Sequence, residues 1–143
     1  MSADGMIWSA EMALQQSFLT ALQADPNLQA LLGNPARIFD DETEQPAFPH
    51  VVLEAHTCED RGASGVAGQS HTLTLAVRSR DGGRAAVKEI IGALRAACEG
   101  MELMLSGQRV VLIQPLYGDA MRTPDLREFR GLLRIRIITE EAA

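Results

Sequence analysis

Lysine, aromatic residues, cysteine and long apolar runs are all scarce in this chain. Of its 143 residues only Lys88 is a lysine, so twelve of the thirteen basic side chains are arginine. Arginine favours bidentate contacts at interfaces; a GC-rich genome gives the same bias. Aromatics are 4% of residues, too few for nucleic-acid binding by base stacking. The two cysteines, Cys58 and Cys98, do not make a disulfide framework and fit reduced thiols in a cytosolic protein. No apolar run approaches the roughly 20 residues that span a bilayer, which excludes a membrane helix. The opening MSADGMIWSAEM lacks a basic segment followed by an apolar core, so no signal peptide is expected.

Basic side chains are also missing from one part of the chain. Residues 1–60 hold ten acidic residues and one basic one, Arg37, while residues 61–143 hold nine acidic and twelve basic. The two parts therefore carry −9 and +3, and the net −6 argues against tight nucleic-acid binding. A split of this kind orients copies of one subunit against each other, or it is a solvated acidic surface.

Catalytic and metal motifs are absent as well. No His-Glu-x-x-His, Cys-x-x-Cys or Gly-x-Ser-x-Gly occurs. His56 and Cys58 are placed with Glu54 on one strand face, but structural zinc takes about four ligands. They are read as ordinary strand polar residues, and no metal or cofactor is expected. Asp81-Gly82-Gly83 lacks the Lys-Ser/Thr of a phosphate loop and reads as a turn with a helix cap. Asp40, Asp41, Glu42 and Glu44 sit in a loop without the burial that tunes a carboxylate for acid–base work. They form an acidic patch.

What is present is a scaffold. Leu14, Phe18, Ala21 and Leu22 repeat at helical spacing and predict a helix over 9–24, with Ser9 as cap. Asp25-Pro26 restarts the chain as a short helix over 26–32, stopped by Gly33. Arg37-Ile38-Phe39 predicts a short edge strand, and His50 to His56 a longer one with Val51, Leu53 and Ala55 on one face. The glycine-rich stretch 59–69 reads as a long loop, with Glu59, Asp60, Arg61 and Val66 as docking candidates. Ser70 to Arg80 alternates, placing Leu73, Leu75 and Val77 inward. A helix to Cys98 follows, with Val87, Ile90, Ile91, Leu94 and Ala97 buried and Gly100 at its end.

Segments 103–105 and 109–117 predict strands, the second apolar on both faces and so central or covered. Residues 118–125 read as a turn-rich connection. The last strand, 128–139, turns Leu133, Ile135 and Ile137 inward. Arg130, Arg134 and Arg136 lie outward with Leu132 and Ile138. With Arg78 and Arg80 they make an apolar-plus-arginine face, either solvated or a subunit interface. The expected fold is α+β: a mostly antiparallel sheet of four to five strands against two main helices, in one domain over 1–143.

Five segments in this order resemble the small tail-terminator (tail-completion) proteins of long-tailed bacteriophages and gene transfer agents. They are ALQADPNLQALL, RIFD, FPHVVLEA, HTLTLAVRSRDGGRAA and FRGLLRIRIITE, within 12–140. Residues 1–8, with Trp8, fall outside the resemblance and read as a flexible or partner-contacting extension. The resemblance implies a structural virion protein, not an enzyme, without cofactor. It also implies a hexameric ring of copies of this chain at the head–tail junction, made in the bacterial cytoplasm. The ring's partners would be the tail tube protein and the head-completion or connector protein, with DNA passing through the bore unbound and no membrane contact. The alternatives are a head-completion stopper, or a monomeric binding module or small enzyme with a concave pocket.

Overall fold

A computed structural model of the chain describes residues 3–41, 44, 46–61, 65 and 67–142. Its elements are α1 (Ala3–Gln23), α2 (Pro26–Leu32), β1 (Ile38–Phe39), β2 (His50–Asp60), β3 (Gly68–Ser79), α3 (Gly83–Glu99), β4 (Gln108–Arg122) and β5 (Phe129–Glu141). One five-stranded sheet runs in the order β1-β2-β3-β5-β4. β1 pairs parallel with β2, and the other neighbours are antiparallel. The chain is thus an α+β sandwich of helices on a mixed sheet.

Local chemistry sets the helix ends. The Asp25 carboxylate accepts from the backbone N–H of Asn27 and Leu28, both at 3.0 Å, and Pro26 fills the first turn where no N–H is needed. α3 starts after Gly82, whose φ of 82° suits glycine; no side chain caps it, and the turn before it is held by Ser79 Oγ donating to the Asp81 backbone carbonyl at 2.8 Å. The buried stripe of α3, Val87, Ile90, Ile91, Leu94 and Cys98, joins Leu14 and Phe18 of α1 in one core. Sheet residues Leu73, Leu75, Val77, Leu133, Ile135 and Ile137 complete it, so the helices share one face of the sheet. Close approach of α3 depends on Gly131. A Cβ there would lie 2.4 Å from Val87 Cγ1 and 2.8 Å from Ile91 Cδ1.

Several expectations change. α1 begins at Ala3, so Ser9 lies within the helix and does not cap it. β2 and β3 pair as far as Asp60 and Gln69, which puts Glu59 and Asp60 in a strand and shortens the loop. A bulge between Leu53 and Ala55 shifts the register of β2. Beyond it His56 pairs with inward-facing Leu73 and Cys58 with His71, while Ala55 turns outward beside Thr74. Leu105 makes only an isolated bridge to Gln108, so 103–105 is not a strand. β4 runs on through Gly118 to Arg122, leaving a connection only from Thr123 to Glu128. Most consequential, β4 is an edge strand, neither central nor covered.

Candidate functional site

The sheet's second face carries none of the helical core. Strand pairing places Thr72, Thr74, Arg134, Arg136, Gln114, Tyr117, Leu112 and Ile138 on it. At the β4 side this face is apolar and open: Leu112 is 39% exposed, Tyr117 49% and Met121 47%. Two bulges, at Val110/Leu112 and Pro115/Tyr117, bend β4 and push Val111 and Leu116 outward as well. An edge strand with this much exposed apolar area is a docking surface or an aggregation hazard. Tyrosine, methionine and arginine are the residues that enrich interfaces. Sequence reasoning missed these apolar residues because a run apolar on both sides reads as buried. The available signal was Pro115, which has no N–H for a ladder and belongs at an edge.

The five arginines picked from sequence divide into two groups. Arg78 donates to both Glu128 carboxylate oxygens, Nε at 3.0 Å and Nη2 at 3.2 Å. Arg80, just past β3, lies 4.1 Å above the Phe48 ring and 3.9 Å from Glu128. Arg130 pairs with Glu54 across the intervening β3. These three are committed within the chain. Arg134, exposed, sits 5.9 Å from the Tyr117 ring centroid, and Arg136 is exposed beside Gln114. Arg134 and Arg136 are the pair best placed to meet another molecule.

At the opposite edge, Asp40 and Asp41 follow β1 directly, and Glu44 lies further along; all three are exposed. Asp40 and Asp41 thus lie by the β1 edge, whereas Arg134 and Arg136 lie on β5, next to the β4 edge. Glu42 and Val66 lie outside the described residues. Arg61 is exposed, and its backbone N–H closes the β2–β3 connection onto the Gly68 carbonyl at 2.8 Å.

The bulge in β2 also dissolves the suspected metal face. Glu54 turns to Arg130 on the outer side, while His56 and Cys58 turn inward under α1. There His56 Nε2 meets His71 Nδ1 at 2.9 Å. Burial, aided by the Glu11 carboxylate, pushes the Cys58 thiol up to about 11, and burial pushes Cys98 up to about 12. Both are therefore protonated and poor nucleophiles at neutral pH. Among the described residues no three His, Cys, Asp or Glu side chains are grouped to hold a metal. None of the described helices is long and apolar enough to cross a membrane.

The family model for tail completion protein gp17 matches residues 16–140. The chain belongs to that family. It is a tail structural protein of the bacteriophage and gene-transfer-agent kind. Among solved structures, a chain in the virion of a native gene transfer agent particle is 28% identical, with a TM-score of 0.82. That match covers 93% of this chain and 98% of that one. The gp17 protein of bacteriophage SPP1 shares the fold at 18% identity and a TM-score of 0.62, with 90% of each chain covered. A comparison with curated proteins finds no match.

Proposed function

We propose that this chain is a tail terminator: six copies form a ring that ends tail-tube growth and joins the tail to the head connector. The observation that carries the ring is the open outer face of β4 and β5, where Leu112, Tyr117 and Met121 lie exposed beside Arg134 and Arg136. A ring needs one surface of a subunit against a different surface of its neighbour. The acidic flank, with Asp40, Asp41 and Glu44, lies across the sheet and supplies an opposite charge. Arg78, Arg80 and Arg130 are engaged within the chain and leave Arg134 and Arg136 for the contact.

One end of such a ring would match the last layer of tube subunits. The other end would differ from a tube layer, so no further layer could add. The connection between β2 and β3, with Glu59, Asp60, Arg61 and Val66 as its candidate residues, is assigned to that tube or connector contact. Acidic residues facing the bore would repel DNA and let it pass unbound. The chain does no chemistry in this role and acts at the head–tail junction of the particle.

The test is electron microscopy of particles made without this protein. Overlong tails, or separate heads and tails, are expected. Tails of normal length firmly joined to heads would overturn the role. Full heads that leak DNA, beside tails of normal length, would identify a head stopper instead.

A further inference from the structure

The connection between β4 and β5 holds an unusual residue. Leu126 has φ of 62°, a left-handed conformation that a branched side chain rarely adopts, and it is 62% exposed. The turn around it is tightly bonded. The Leu126 N–H donates to the Thr123 carbonyl at 2.9 Å, and the Leu126 carbonyl accepts from Arg122 Nη2 at 3.1 Å. The Thr123 hydroxyl meets the Asp125 carboxylate, which also accepts from the Arg127 N–H at 3.1 Å. Asp125 is thus engaged inside the turn, while Arg122 and Arg127 flank the leucine. The turn holds an apolar side chain out in solvent against its own backbone preference. Such an outlier points to a role in recognition.

A complementary cleft lies at the same end of the sheet, on the side of β2 and β3. It lies between Phe48 and Pro49, which lead into β2, and the turn from β3 into α3. Leu31, Phe48, Pro49 and Ala86 supply its apolar lining, and the exposed carboxylates Asp81 and Glu89 also border it. Arg80, stacked on Phe48, forms one wall. The Leu126 tip carries cations beside an apolar anchor; the cleft carries carboxylates beside an apolar floor. Tip and cleft are distinct surfaces at the same end of the sheet, the tip over β4 and β5 and the cleft beside β2 and β3. Glu128 lies between them, bonded to Arg78 and 3.9 Å from Arg80. A head-to-tail contact joins two different surfaces of one kind of subunit.

We propose that Leu126 is an anchor that inserts into this cleft of the next copy of the chain, with Arg127 and Arg122 facing Asp81 and Glu89. The inference rests on the ring reading and adds a specific lock to it. Leu126→Gly tests it well, because glycine is at ease at this φ. The variant should fold with an unchanged or higher Tm, while the concentration for half-assembly, read by light scattering and native mass spectrometry, rises at least tenfold. A second arm mixes Leu126→Cys chains with Ala86→Cys chains, each with Cys58→Ser. A mixed disulfide between them is expected on oxidation. Wild-type rings with unaltered assembly of Leu126→Gly, or with no mixed disulfide, would overturn the lock and leave the ring standing. A tip that cross-links to a tube or connector subunit in assembled particles would overturn the choice of partner. A wild-type chain that is monomeric at every concentration and in particles would overturn the ring itself.

Discussion

His56 and His71 hydrogen-bond to each other, Nε2 to Nδ1 at 2.9 Å, on the buried side of the sheet. His71 is fully buried, and its other nitrogen has no partner. Burial, and then the neighbouring charge of His56, hold the His71 pKa down at about 4. Burial also lowers His56, partly opposed by Glu11 on α1. In the unfolded chain both return towards about 6.5. On acidification the unfolded chain therefore takes up protons first. The stability is fully present at pH 7.5 and above, and is lost as the pH falls from about 6.5 towards 4. His71 alone should cost about 2 kcal/mol by pH 5, at about 1.4 kcal/mol per pH unit. Urea unfolding at pH 7.5 and 5.0 measures this. A wild type equally stable at both values refutes it, and His71→Leu should flatten the slope.

Gly131 should be intolerant of any side chain. Its missing Cβ is the space filled by Val87 and Ile91 of α3. Gly131→Ala is expected to lose about 1–3 kcal/mol, the usual cost of overpacking a core, and Gly131→Val more. The loss should appear in the urea midpoint with the far-UV spectrum retained. Combining Gly131→Ala with Val87→Ala should recover part of it, because the second change reopens the space. A Gly131→Ala chain as stable as wild type would mean that α3 shifts freely on the sheet.

The Asp25 cap is separable from tertiary packing. Asp25→Ala removes the acceptor for two backbone N–H groups and should cost about 1 kcal/mol. Asp25→Asn should cost less, because its side-chain oxygen accepts the same bonds. Thermal unfolding of the pair distinguishes a hydrogen-bond effect from a charge effect.

Much of this architecture is written in residue patterns. The alternation of Leu73, Leu75 and Val77, the stripe from Val87 to Leu94 and the Asp25-Pro26 restart each depend on local periodicity or capping, and each appears where its pattern places it. The outward arginines Arg134 and Arg136 follow from the same alternation. The misreadings share a different cause. The bulge beside Glu54 moves His56 and Cys58 across the sheet, and no local pattern announces it. β4 looks central because bulges at Val111 and Leu116 scramble its alternation; its position depends on which strand it pairs with, a long-range property. Leu126 was invisible because a left-handed leucine has no sequence signature.

The two groups of arginines should respond differently to charge reversal. Arg134 and Arg136 are exposed and face outward from β5, so Arg134→Glu with Arg136→Glu should leave monomer stability within about 0.5 kcal/mol. Assembly should weaken at least tenfold, and more at low ionic strength than high, because screening acts on exposed charges. Arg78 is different: it is partly buried and grips Glu128 with two donors. Arg78→Ala should destabilise the monomer by about 1–3 kcal/mol, since it removes a charge-assisted pair and leaves the Glu128 carboxylate only its longer contact with Arg80. Measuring urea stability and oligomer mass on both variants separates an interface residue from a strut. Loss of stability in the Arg134/Arg136 variant, or unchanged assembly in it, would move the subunit contact off this face. The exposed apolar residues of β4 would then need another partner, and the tube end would be the next surface to test.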